Sequence, residues 1–175
     1  MAKSSLHLQS QRQISMSSLD IFELLPKNSP LIWRPFNAGH AMTLQIDPSI
    51  RETLPRNRPL AELIEAQANQ GHAITAILQS KPVAIFGAID VWDGVAEMWL
   101  NCDEKLRKYG KTMTRAAQIY ADYIVISRNL HRLQITVRCA DLRAVRWGLA
   151  LGFEIEGLMK KYGADGSDFF MMSRS

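Results

Sequence analysis

Two short stretches of this chain bring together residue types that can do chemistry. In LRKYGKTM (106–113), Arg107, Lys108, Tyr109, Gly110, Lys111 and Thr112 stand at the mouth of an amphipathic helix. A helix start leaves its first backbone N–H groups unpaired and carries positive partial charge. With a glycine to allow close approach and cations alongside, such a junction can hold phosphate oxygens. The plainer alternative is a loop that turns into a helix. In VAEMWLN (95–101), strand alternation puts Glu97, Trp99 and Asn101 on one face and Ala96, Met98 and Leu100 on the other. A carboxylate in the middle of a sheet strand is an acid–base candidate. Its structural alternative is an ion pair with a nearby arginine such as Arg138.

Other chemistries have less to work with. Cys102 and Cys139 form no CxxC or zinc pattern, and His7, His40, His72 and His131 are scattered without ligand spacing, so no metal site is expected. Residues 1–100 carry 8 Lys/Arg against 9 Asp/Glu, whereas residues 101–175 carry 13 against 8. An anionic partner is therefore expected in the second half. That half has no RNP-type or helix-turn-helix pattern, so nucleic acid is not an expected partner. The longest apolar run, 83–89, is too short to cross a bilayer, and no membrane partner is expected. The polar start MAKSSLHLQSQRQISMSS does not read as a secretory leader, which makes the cytoplasm the expected compartment.

The elements that must position these residues follow from pattern. Residues 1–30, rich in Ser and Gln, read as an extension or interaction arm, with Asn28-Ser29-Pro30 opening the domain 31–175. LIWRPF is a strand, and Asn37 caps a helix to about Leu44. Pro48, Pro55 and Pro59 break the chain before a helix that Gly71 closes. HAITAILQ, PVAIFGAIDV and VAEMWLN form an antiparallel meander. A helix over 111–128 buries Met113, Ala116, Ala117, Tyr120, Ile124 and Ser127. RLQITVRC alternates, Asp141 caps a helix over 142–151, Gly152 ends it, and FEIEGL pairs with DFFMMS across a long loop. The result is an α/β (α+β) fold: a mixed, mostly antiparallel sheet with helices on both faces.

That order, with GVAEMWLNCDEKLRKYGKTMTRAA and HRLQITVRCADLRAVRWGLALGFEIEG, resembles the GNAT (GCN5-related N-acetyltransferase) superfamily over residues 31–175. The closing KKYGADGSDFFMMSR is similar to acetyltransferase-like proteins carried by bacteriophages. The resemblance implies a central parallel strand pair, 95–101 beside 132–139, that splays apart to admit acetyl-CoA as co-substrate. It implies cofactor contacts from the backbone at Trp99, Leu100 and Asn101, from the phosphate loop Arg107, Lys108, Tyr109, Gly110, Lys111 and Thr112, and from Asp141. It makes Glu97 the base that takes a proton from an amine-bearing substrate, a protein or a small molecule.

Two positions depart from the family pattern. Thr112 replaces a small residue; its hydroxyl either caps the helix or donates to phosphate, or its bulk crowds the site. Gly148 stands where the family often has a tyrosine acid. The alternative function is a catalytically silent GNAT-like phage virion or host-interaction protein. Under either reading, residues 1–30 are the expected docking segment for a second copy or for a phage or host protein. A phage-encoded chain would reside in host cytoplasm or virion.

Overall fold

A computed structural model of the chain describes residues 20–175. Residues 1–19, most of the expected docking arm, lie outside them. Strands β1 (Ile32–Pro35), β2 (Gly71–Leu78), β3 (Lys81–Trp92), β4 (Val95–Cys102), β5 (Arg132–Arg138), β6 (Glu154–Met159) and β7 (Phe169–Arg174) form a seven-stranded sheet ordered β1-β2-β3-β4-β5-β7-β6. The β4–β5 neighbours are parallel and the others antiparallel. Tight turns join β2 to β3 and β3 to β4, which makes those pairs antiparallel. The connection from β4 to β5 is a long helix, and such a crossover returns the chain parallel.

Helices α1 (Ile21–Leu24), α2 (Ala38–Thr43), α3 (Pro48–Thr53), α4 (Leu60–Ala68), α5 (Gly110–Ser127) and α6 (Leu142–Ala150) cover the sheet, and a 3-10 segment, Glu104–Tyr109, runs into α5. On α5 the buried stripe is Met113, Ala116, Ala117, Tyr120, Ala121 and Ile124. Ser127, expected in that stripe, is exposed, and Ala121 takes its place. The stripe joins Ala76, Phe86, Ala88, Ala96, Leu133 and Met172 in the main core. A second cluster on the opposite face gathers Ala41, Leu44, Ile64 and Ile85, with Trp99 packed against it.

Two local differences from the sequence pattern shape the surroundings of the cleft. Pro48 does not break the chain but begins α3, because proline suits the first helical turn, and Asp47 caps it by accepting from Ser49 N–H. The packed region also begins before Asn28. Ile21 and Leu25 are 2% and 1% exposed in the main core, and Trp33 Nε1 donates to the Pro26 carbonyl at 2.8 Å.

Candidate active site

Parallel pairing of β4 with β5 covers Val95↔Arg132, Ala96↔Leu133 and Glu97↔Gln134, and then stops. Both strands continue, β4 along β3 to Cys102 and β5 along β7 to Arg138. They diverge from Glu97 onward, leaving a wedge.

Which backbone groups face that wedge follows from alternation. Asp103 N–H donates to the Val83 carbonyl, whereas the Cys102 carbonyl accepts from Asp47 N–H. Adjacent residues of a strand direct their backbone groups to opposite sides. Trp99 and Asn101 therefore direct theirs to Gly87 and Ile85 on β3, and Leu100 directs its N–H and C=O into the wedge. Among Trp99, Leu100 and Asn101, expected together as backbone contacts for a cofactor, Leu100 alone is so placed. The Asn101 side chain is also committed: it is buried and its Nδ2 donates to Gln67 Oε1 on α4 at 3.1 Å. The Trp99 ring lies over Gly87, where a Cβ would come within 3.0 Å of it. Its Nε1 is a buried donor without a partner among the described residues.

At the end of β4 the chain passes through the 3-10 segment into α5. Arg107, Lys108, Tyr109, Gly110, Lys111 and Thr112 line an open depression of about 390 Å³, walled on its other side by Asn28, Ser29 and Pro30. Gly110 has ordinary right-handed helical dihedrals, so its backbone conformation does not demand glycine. Among the described residues, a Cβ at this position would meet nothing within 4 Å. What the glycine provides is an open approach to the helix start, as a phosphate cradle needs. Among the described residues no side chain caps this terminus, so Thr112 is not a cap; Thr114 Oγ1 instead donates back to the Gly110 carbonyl at 2.8 Å.

Arg107 has a different neighbour from the expected phosphate. Its Nη2 bonds Asp47 Oδ2 in an ion pair with a buried carboxylate. Burial by itself would raise the Asp47 pKa. Hydrogen bonds from the Ser49 side chain and backbone, and then from Arg107, outweigh it and hold the carboxyl below the usual aspartate range. Arg107 thus fastens the loop to α3. That helix spans the wide end of the wedge: Asp47 N–H reaches Cys102 at the end of β4, and Glu52 lies 3.8 Å from Arg138 at the end of β5. Arg138 also donates to Asp165 at 2.8 Å, and Ala164 N–H donates to the Thr53 carbonyl, so the loop between β6 and β7 is tied to the same helix.

Glu97 is half-buried and does not pair with Arg138, whose partners are Asp165 and Glu52. Its Oε2 accepts from Gln134 Nε2 at 3.0 Å. Tyr162, on the β6–β7 loop and still more than half exposed, has its phenol pKa raised by partial burial and then by the negative charge of Glu97. Residue pattern singles out neither Gln134 nor Tyr162. The parallel register places Gln134 opposite Glu97, and only a fold of the loop brings Tyr162 to it.

Gly148 is filled in rather than open. A Cβ there would lie 3.1 Å from Met172 Cε and 3.2 Å from Ile135 Cδ1. Any side chain there requires Met172 and Ile135 to give way. Asp141 Oδ1 accepts from Ala144 N–H at 3.0 Å, capping α6 as the sequence implied, and Arg143 is 4.0 Å from its other oxygen. Burial pushes the Cys102 thiol up to about 12, leaving it an inert core group. Among the described residues no cluster of three His, Cys, Asp or Glu could hold a metal ion, and no helix is long and apolar enough to cross a membrane.

No family model and no curated protein matches the sequence. Solved structures do match in three dimensions. Ard1 from Thermoplasma volcanium has a TM-score of 0.66 at 16% identity, over 83% of this chain and 97% of that one. The ribosomal-protein-S5-alanine acetyltransferase from Vibrio fischeri has a TM-score of 0.66 at 18% identity, over 85% and 94%. A GNAT family acetyltransferase from Elizabethkingia anophelis, solved with acetyl-CoA bound, has a TM-score of 0.58 at 15% identity, over 85% and 99%. At such identities the likeness is one of fold. The mostly antiparallel sheet with a splayed parallel pair, flanked by helices on both faces, is the fold of the GNAT acetyltransferases.

Proposed function

We propose that this chain transfers an acetyl group from acetyl-CoA to a primary amine. The observation that carries the reading is the wedge between β4 and β5. It leads from a Leu100 backbone edge, unpaired among the described residues, to an open, glycine-containing helix start, with a carboxylate at its apex. The residues present suit the co-substrate: the N–H groups at Gly110–Thr112 and the cations Lys108 and Lys111 suit its phosphates, and Leu100 N–H and C=O suit an amide or carbonyl in the wedge. Acetyl-CoA supplies an activated acyl thioester.

The chain's own residues then have separate tasks. Glu97 takes the proton of the bound ammonium, directly or through water, so that a neutral amine faces the wedge. Leu100 N–H is placed to hold a carbonyl oxygen. Arg107 keeps the phosphate loop attached to α3. The position of Gly148 offers no acid, but a thiol of ordinary pKa about 8.5 can leave as the thiolate, and the second amine proton, shed as the amide forms, goes to that thiolate or to water. The acceptor is a protein or small-molecule amine; a peptide with an N-terminal alanine, free lysine and spermidine cover those chemistries.

A second reading, a catalytically silent interaction module of phage type docking through residues 1–30, draws on the filled position at Gly148 and on exposed Ile155 and Leu158 along the edge strand β6. Titration calorimetry with acetyl-CoA, followed by an assay for free CoA with the three amines, separates the two. Binding and amine-dependent CoA release support the enzyme. Absence of binding at millimolar acetyl-CoA supports the module and sinks the enzyme.

A further inference from the structure

A hydrogen-bonded row crosses four neighbouring strands on the face that carries Glu97. Ser173 Oγ on β7 donates to Glu156 Oε1 on β6 at 2.5 Å. Arg132 on β5 grips the same carboxylate with both terminal nitrogens, Nη1 to Oε1 at 2.9 Å and Nη2 to Oε2 at 2.6 Å. The third Arg132 nitrogen, Nε, donates to Gln134 Oε1 at 3.0 Å. Gln134 Nε2 then donates to Glu97 Oε2 at 3.0 Å. The row follows the ladder, since Glu97 is the register partner of Gln134, and Gln134 of Ser173.

The direction of each bond is forced. A guanidinium can only donate, so Gln134 must turn its carbonyl toward Arg132, and its NH₂ is left pointing at Glu97. Bidentate pairing with Glu156 fixes the plane of Arg132 and hence the line of its Nε–H. The Arg132 and Ser173 hydrogen bonds hold the Glu156 carboxyl at about 2, so this anchor stays ionised throughout the neutral range. The consequence falls on Glu97. One oxygen is held by a donor in a fixed position, the carboxylate cannot rotate freely, and Oε1 is the oxygen left for an amine or a water.

We infer that Gln134 is a positioning residue for Glu97, aimed by the Arg132–Glu156–Ser173 anchor; the inference rests on the acetyl-transfer reading and deepens it. Glu97 is the group that meets substrate, and Gln134 acts through it. Without Arg132, the Gln134 carbonyl loses its fixed donor, the amide plane is held at one end only, and its NH₂ is no longer aimed along one line at Glu97.

Two measurements on the full chain test this. The first is the side-chain ¹⁵NH₂ signal of Gln134, assigned by its loss in Gln134→Leu. Glu97→Ala and Arg132→Met should each shift that signal and speed its solvent exchange. An Arg132→Met signal identical to the parent's overturns the inference, whatever the activity. The second is a cycle of kcat with the N-terminal alanine peptide, spermidine and lysine as probe amines. Gln134→Leu and Arg132→Met should each lower kcat roughly 10- to 100-fold, the scale of a misplaced catalytic group. The KM for acetyl-CoA should stay put. Added to Glu97→Gln, neither should lower kcat further, because a residue acting through Glu97 has nothing left to position. Full additivity overturns the inference alone. A parent silent on all three amines overturns the acetyl-transfer reading and this inference with it, even where the NMR coupling is intact.

Discussion

Glu97 has one oxygen engaged by Gln134 and sits where the β4–β5 ladder ends, the place the proposed reaction assigns to the amine and the thioester. Glu97→Gln keeps size and hydrogen bonding but removes the proton acceptor. Turnover should fall roughly 100-fold or more, with acetyl-CoA affinity unchanged and the deficit shrinking at high pH, where more amine is already neutral. Steady-state kinetics between pH 6 and pH 10 would check it, and normal turnover in a stable Glu97→Gln protein would remove Glu97 from the mechanism. Gly110 is a residue-scale test of the cofactor. Its missing Cβ faces open space, so Gly110→Asp should fold, yet it sets a carboxylate where the proposed co-substrate would bring its phosphates. Calorimetry should find acetyl-CoA binding abolished with the melting temperature little moved. Gly148 behaves in the opposite way. Gly148→Tyr does not restore an acid; it drives a ring against Met172 and Ile135 and should cost about 3 kcal/mol by urea unfolding, the upper range for overpacking.

At the scale of elements, α3 is the piece that closes the mouth of the wedge. It is short and exposed, and no residue of it is buried, so packing alone does not hold it. It is held by Asp47 at its start and by Glu52 and Thr53 at its end. The Asp47 carboxyl lies below the ordinary 3.8 in the folded protein. A depressed carboxyl stabilises the fold in full above its unfolded value and loses that contribution as pH falls through the lowered one. Glu156 follows the same sign, fading from its ordinary 4.5 toward about 2. Thermal melts from pH 7 down to pH 3 should therefore show acid destabilisation beginning below about pH 5. Asp47→Asn should start from a lower melting temperature at pH 7 and decline less steeply. It should also bind acetyl-CoA roughly 10-fold more weakly, because Arg107 then no longer ties the loop to α3.

For the whole molecule, the segment before β1 belongs to the fold. Ile21 and Leu25 fill the main core beside α5, and Asn28, Ser29 and Pro30 form one wall of the depression at the start of that helix. Burying a residue of this size is worth about 1.5–3 kcal/mol, so a chain starting at Leu31 should lose about 3–6 kcal/mol. Against a usual total of about 5–15 kcal/mol, that is enough to leave it marginal or unfolded at 37 °C. Denaturant unfolding of chains starting at Leu31 and at Asp20 measures the difference, since the second keeps these contacts. Equal stability would make the segment dispensable.

Periodicity and end signals made most elements legible in the sequence alone. The stripe on α5, the Asn37 and Asp141 caps, Gly152 at φ +85° and the alternation of β4 and β5 are local matters, decided within a few residues. The parallel pair came from the family resemblance, and it agrees with a simple rule: a single helical crossover leaves little choice of direction. Pro48 misled because a proline that ends one segment can equally begin a helix, and only the Asp47 cap and its tether to β4 select the second outcome. Other features lay beyond any local rule. That Arg138 binds Asp165 and Glu52 and leaves Glu97 to Gln134 depends on where three distant segments meet. That Leu100 and not Trp99 or Asn101 faces the wedge depends on hydrogen-bond phase against β3, which side-chain pattern does not reveal. Residue types and spacing specify which groups a strand or helix can offer; register, ladder phase and the approach of loops decide which of them meet, because those are set by contacts between residues far apart in the chain.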